Sequence, residues 1–329
     1  MRLIRVALAI LAVFMTSMAF GNGFLTVISP VENDVLGTNN TVSFSITGAS
    51  KAVTITLTLT GNDSNTSGTV LSPPPTVFTN VVDNKVNGTV PLNLSKSLPE
   101  GSYVLQVTAT EPDNTYNVPA PIDVTVVLTP PKFLDFSPNN GQFVKGIVPI
   151  TVSVETAHIK DWHVQVNGQD IPNNTGNTTS FVVNWDTTNI QTDGGQTITV
   201  TVRDLANNTV TQTISVTLDR LPPTITVQYP RSDTPLLANS RIPILIDIQD
   251  ASTNSVDVTG TDVVLLRMDN SFLMRVPRQS FNSIGNNTLR WSGRLRPSIN
   301  LPNQFILQVT AVDRAGNVGV LQKVTLSHG

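Results

Sequence analysis

One segment recurs three times along this chain. It reads EGSYVLQVTATEPDNT from Glu100, GGQTITVTVRDLANNT from Gly194 and PNQFILQVTAVDRAGN from Pro302. Each copy has a Gly- or Asn-bearing turn, then an alternating apolar/polar run, then an acidic residue that opens a tight turn. A second alternating run follows each time. Alternation of period two puts one set of side chains on a buried face and the other in water, so each copy predicts a β-hairpin. A hairpin repeated at a domain-sized interval predicts a β-module built several times over rather than one large core. The remaining runs agree: Thr41 to Ile46, Val53 to Leu59, Ile147 to Val154, Trp162 to Val166 and Ile242 to Ile248 all alternate and are rich in β-branched residues. Apolar residues at helical spacing are scarce.

The first residues stand apart. Arg2 and Arg5 precede the apolar run Val6 to Met15, and the small residues Thr16-Ser17-Met18-Ala19 follow. This predicts a cleaved secretory signal over 1–19, its apolar run too short for a permanent span. Every later hydrophobic stretch is interrupted by polar residues, which predicts no transmembrane segment. The chain has no cysteine, so an exported protein of this sequence must hold its folds by core packing alone. Pro-centred phrases punctuate the rest: Ser29-Pro30, Ser137-Pro138 and Tyr229-Pro230, with Pro130-Pro131 and Pro222-Pro223 just ahead of the second and third. They predict domains at 23–130, 131–221 and 222–329, each the size of one β-sandwich. Charge is uneven along them. Residues 20–130 carry three lysines against eight acids, whereas residues 222–329 carry ten basic residues against seven acids.

The middle segment, VKGIVPITVSVETAHIKDWHVQVNGQDI with SFVVNWDTTNIQTDGGQTITVTVRDLANNTVTQTISVTL, resembles the bacterial Ig-like domain family in the order of its motifs. The third segment resembles that family through Asp219, Pro222-Pro223 and Asp313-Arg-Ala-Gly-Asn317, around a long irregular middle from Ala251 to Arg296. The first, through GTVPLNLSKSLPEGSYVLQVTA, also resembles the Ig-like module of fungal Ser/Thr-rich cell-wall proteins. The resemblance implies an all-β chain of three tandem immunoglobulin-like β-sandwiches and a mostly non-catalytic role.

Signatures of catalysis are missing from the sequence: no nucleophile elbow, no zinc-protease helix, no phosphate loop. His158 and His163 fall on opposite faces of a strand. No enzymatic activity and no cofactor are expected. Calcium is weighed at Asp204, Asn208 and Asp219, since carboxylates at module junctions suit a hard cation. Ordinary turn chemistry explains Asp204 and Asp313 as well, with Asn207 or Gly316 in the left-handed position. Trp162 and Trp185 read as core fillers by their parity, and Trp291 less decisively so. The best candidate ligand surface is basic. Arg290, Arg294 and Arg296 share one parity, with Arg275 and Arg278 nearby, and guanidinium is a bidentate partner for carboxylate, sulfate or phosphate. These features predict a secreted or cell-surface adhesion and spacer array that binds a surface glycan or a partner protein. An accessory subunit of a secreted hydrolase and a cryptic enzyme using Asp257 or Asp262 are the alternatives. Nucleic acid does not suit an acidic mature chain. Self-association through bare strand edges such as Lys51 to Thr60 stays open.

Overall fold

The computed structural model describes residues 23–156, 158–234, 236, 241–253, 255–295 and 301–327. The expected signal segment, Arg296 and His328 lie outside them. The described residues fall into two compact units. One gathers residues 23–131 with Thr156–Lys160 and Arg203–Val210, and the other holds the remainder.

All regular structure among the described residues is β-strand, and the sheets come in three successive pairs. The first pair uses β1 (Phe24–Ser29), β2 (Asp34–Leu36), β3 (Asn39–Thr47), β4 (Val53–Gly61), β5 (Val70–Leu71), β6 (Thr76–Phe78), β7 (Lys85–Asn93), β8 (Gly101–Glu111), β9 (Asn114–Thr115) and β10 (Ile122–Val126). One sheet runs β1-β3-β7 and the other β2-β10-β8-β4-β5. The second pair uses β11 (Lys132–Ser137), β12 (Phe143–Val144), β13 (Ile147–Glu155), β14 (Ile159–Val166), β15 (Gln169–Gly176), β16 (Ser180–Asp186), β17 (Gly194–Asp204) and β18 (Thr209–Leu218). Its sheets run β11-β13-β16 and β12-β18-β17-β14-β15, the same plan. The third pair uses β19 (Thr224–Tyr229), β20 (Ile242–Gln249), β21 (Val256–Leu266), β22 (Phe272–Arg275), β23 (Arg278–Gly285), β24 (Thr288–Leu295), β25 (Gln304–Asp313) and β26 (Gln322–Ser327). Its sheets run β19-β20-β24-β23 and β22-β21-β25-β26. These are tandem immunoglobulin-like β-sandwiches.

The Pro-centred phrases have a structural meaning. In the first two pairs the opening strand leaves one sheet at Ser29-Pro30 or Ser137-Pro138 and rejoins the other as β2 or β12. There it lies parallel to β10 or β18. Proline has no N–H for a ladder and fits this break between sheets. All three of these X-Pro peptide bonds are cis.

Alternation becomes packing directly. On β4 the buried residues are Val53, Ile55, Leu57 and Leu59, in one core with Leu105 and Val107 of β8 and Phe44 and Ile46 of β3. In the second pair Trp162 stacks on Phe181, ring centroids 3.9 Å apart. In the third, Ile244, Ile246, Leu265, Trp291, Phe305 and Leu307 share one core. Each such side chain contributes about 1.5–3 kcal/mol on leaving water, which is what holds a cysteine-free sandwich together.

Two expectations are corrected. The stretch from Ala251 to Arg296 is not an irregular middle, because β21 to β24 occupy most of it. Bulges between Asp257 and Asp262, Arg278 and Ser280, and Ser283 and Gly285 break its alternation and hide the strands from a period-two reading. Nor is the run from Lys51 to Thr60 wholly a bare edge: β4 pairs with β8 on one side, and β6 and β5 pair with its two ends on the other, at Val53–Ile55 and Leu59–Thr60.

Candidate functional site

The three repeated hairpins end on Glu111, Asp204 and Asp313, and all three acids are buried. Each is satisfied locally. Asp204 accepts hydrogen bonds from the Asn208 amide N–H (2.8 Å) and side-chain Nδ2 (2.9 Å). Asp313 accepts the same pair from Asn317, both at 2.7 Å. Asn207 and Gly316 take the left-handed conformation, φ 63° and 81°, as the turn reading requires. Glu111 instead accepts from Ser50 N, Ser50 Oγ, Lys51 N and the Tyr116 hydroxyl.

The hairpin asparagines also fasten the chain segment that leads into their own β-module. Within the first unit, Asn208 Nδ2 donates to the Val127 carbonyl at 3.0 Å. Within the second unit, Asn317 Nδ2 donates to the Asp219 carbonyl at 2.9 Å, and Asn317 Oδ1 accepts from Lys145 Nζ at 3.0 Å. Val127 and Asp219 occupy equivalent places, three residues before Pro130 and Pro222. Asn317→Ala therefore strips a donor from two buried acceptors. It is expected to cost about 1–3 kcal/mol, measured as a lower urea midpoint for the full chain.

Asp219 also carries a carboxylate where Val127 has none. Of the trio weighed from sequence, Asp204 and Asn208 spend their polar atoms on each other and on Val127, while Asp219 gathers with Asp250 and Asp313. The three carboxylates are buried and present oxygens all within 4.8 Å of one another. Asp250 follows directly on β20, where its Oδ1 accepts from Ser252 N at 2.9 Å in an Asx-type turn. Asp219 Oδ1 accepts from Leu221 N at 3.4 Å. Asp219 Oδ2 and Asp250 Oδ2 are shut from solvent with no hydrogen-bond partner. Burial, then the neighbouring Asp250 and Asp313 carboxylates, push the Asp219 carboxyl up to about 6. Two ionised carboxylates at this spacing repel by about 3.5 kcal/mol at an effective dielectric near 20. The sequence reading missed Asp250. Its only signal is an acid placed at the end of an alternating strand, and the fold alone brings it to Asp219.

The basic candidates are partly spent. Arg290 holds Asp247 through two hydrogen bonds, Nε–Oδ1 2.7 Å and NH2–Oδ2 2.8 Å, because the β20–β24 register sets the two residues opposite each other. Arg275, on β22 in the facing sheet, holds Asp262 by a second forked pair. Arg278 lies at the start of β23, donates to the Val258 carbonyl at 3.0 Å and sits over the Phe281 ring. Arg275 and Arg278 line one shallow groove with Asp262 and Thr259. The Arg294 side chain is exposed and has no ion pair or hydrogen bond to any described residue. Arg296 lies outside the described residues. Asp257, named with Asp262 as a candidate catalytic acid, accepts from Thr259 N and Oγ1. His163 bonds Asp170 and Asn174, each at 2.8 Å. Trp162, Trp185 and Trp291 are all buried, as core fillers should be.

No protein-family model matches this chain, and no curated protein matches it. It is similar to several solved structures. The fibronectin(III)-like modules of CbhA from Clostridium thermocellum share 11% identity, covering 60% of this chain and 93% of that one at a TM-score of 0.39. A Ca2+-stabilized adhesin of an Antarctic bacterium shares 18%, covering 94% and 74% at 0.36. A marsupial T cell receptor shares 11%, covering 93% and 99% at 0.36. These likenesses concern the fold. The strand orders define the class: an all-β chain of tandem immunoglobulin-like sandwiches. Among the described residues no helix is long and apolar enough to cross a membrane.

Proposed function

We propose that the segment 1–19 exports this chain and that three modules, at 23–130, 131–221 and 222–329, act outside the cytoplasm as a non-enzymatic spacer and adhesion array. Its third module contacts an anionic surface polymer. One observation carries this reading. Arg275, Arg278 and Arg294 are exposed on strands of the same pair of sheets, whereas the tryptophans are committed to cores and the candidate catalytic acids to turns and ion pairs. Exposed guanidinium groups distributed over one pair of sheets suit a repeating sulfate, phosphate or carboxylate ligand, engaged at several points at once.

The test is binding of the purified protein to a panel of anionic and neutral polysaccharides at low and high salt. It runs beside a variant carrying Arg278→Ala, Arg294→Ala and Arg296→Ala. Arg290 is kept, because removing it would leave Asp247 without its ion pair. Salt-sensitive binding to anionic polymers, weakened roughly tenfold or more in the variant, is expected. Equal binding by both proteins, or none by either, overturns the reading.

A further inference from the structure

The carboxylate cluster of the second unit has an internal control in the first. The backbone positions are equivalent in three ways. Val127 N bonds the Leu36 carbonyl as Asp219 N bonds that of Val144. Glu155, opposite Lys132, precedes Thr156 as Gln249, opposite Thr224, precedes Asp250. Asp204 and Asp313 close matching hairpins. Where the second unit has Asp219, Asp250 and Asp313, the first has Val127, Thr156 and Asp204. The fold is therefore built at this place without the two extra acids. Local turn bonds use both oxygens of the hairpin acid Asp313, but only Oδ1 of Asp219 and of Asp250. Both extra acids keep one oxygen buried and unpartnered, at residues 0% and 4% exposed. An unpaired buried acceptor is costly, and two of them beside a third carboxylate are costlier still. A group that satisfies all three must be cationic, small and able to accept several oxygens.

We infer that Asp219, Asp250 and Asp313 form a binding site for one divalent hard cation, best suited to Ca2+. Oxygens held at 2.3–2.6 Å from a common ion lie at most about 5 Å apart, which the 4.8 Å limit satisfies. The donors are all oxygen, which disfavours zinc and copper, and a set of protein carboxylates suits Ca2+ better than Mg2+, which dehydrates reluctantly and keeps several waters. Such an ion joins the segment just before Pro222-Pro223 to the loop after β20 and the hairpin after β25. The equivalent place in the first unit holds one acid of the three. This inference goes beyond the adhesion reading and does not rest on it.

The experiment uses the full chain freed of metal by chelator. Ca2+ and, separately, Mg2+ are titrated by calorimetry, and thermal unfolding is followed with and without each ion. One Ca2+ per chain is expected, with dissociation in the range of about 10⁻⁵ to 10⁻³ M, at least tenfold weaker binding of Mg2+, and a rise of several degrees in unfolding temperature. Asp219→Asn and Asp250→Asn should each abolish the calcium response while unfolding in chelator no earlier than wild type, because each removes one of three repelling charges. Asp204→Asn, at the equivalent place in the first unit, should keep the response. Two outcomes overturn the inference. One is a wild-type chain that neither binds nor is stabilised by about 10 mM Ca2+. The other is an Asp219→Asn chain whose calcium response is undiminished. A pair of acids sharing a proton would give the first outcome, with both Asn variants destabilised in chelator.

Discussion

Trp291→Ala is expected to cost about 3–5 kcal/mol, a large share of what a single β-sandwich has to lose. The indole is 2% exposed, stands opposite Ile246 of β20 and Phe281 of β23, and belongs to the same core as Phe305 and Leu307. Its neighbour Gly293 makes room for it: a Cβ there would lie 2.4 Å from the Trp291 ring. Shrinking the side chain therefore leaves a cavity at the centre of a sheet, where rigid strands on both sides cannot collapse to fill it. Chemical denaturation of the full chain measures the loss. Any polysaccharide binding by the wild type should persist in the folded fraction of the variant, because a buried indole offers no face to a sugar. A variant of wild-type stability that had lost sugar binding would make Trp291 a ligand platform instead.

Glu111→Ala should be the other large loss, about 3 kcal/mol, and it should alter the response to acid. The Glu111 carboxylate is the shared acceptor for Ser50 N, Ser50 Oγ, Lys51 N and the buried Tyr116 hydroxyl. Truncation leaves the Tyr116 hydroxyl and the two amides without their acceptor. Burial alone would raise the Glu111 carboxyl, but the hydrogen bonds from Tyr116, Ser50 and Lys51 together outweigh it and hold the group below its ordinary value of 4.5. A carboxyl depressed in the folded state binds its proton less readily than in the unfolded chain. Its stabilisation is thus fully present above pH 4.5 and fades as pH falls through the lower folded value. Wild type should lose stability progressively on that acid side. Glu111→Gln, which never titrates, should show a shallower slope there. Asp63, held low chiefly by the Ser102 amide, titrates on the same side and remains, so the slope should shrink rather than vanish. Urea midpoints between about pH 5 and pH 2.5 separate these outcomes; identical slopes would remove Glu111 from the account.

How much of this was legible in the sequence depends on whether a property is local. Parity along a strand is local, so Val53 to Leu59 and Trp162 to Val166 could be read as half-buried strands and Trp162 as a core residue. A hairpin acid answered by an Asn or Gly a few residues later is local too, and Asp204 and Asp313 behave as read. Register is not local. Arg290 and Arg294 share a parity, but only the β20–β24 pairing sets Asp247 opposite Arg290 and leaves Arg294 without such a partner. The grouping of Asp219, Asp250 and Asp313 is less local still, since it needs the ends of three strands from two adjacent pairs of sheets to meet. No spacing rule of the D-x-D kind could find it. Bulges did the remaining damage, because one extra residue flips the alternation and made β21 to β24 look irregular.

The two short strands that cover β4 matter beyond their size. β5 and β6 contribute five residues, of which Leu71 and Phe78 pack on the core, and they occupy hydrogen-bonding positions that β4 would otherwise offer to any extended peptide. The loop from Asn62 to Thr79 thus caps both ends of that edge of β4. Trimming it to obtain a tidier module would remove the Phe78 ring from Phe44 and leave more of an alternating Thr-rich strand free to template fibrils, so engineering of this chain should shorten other loops first.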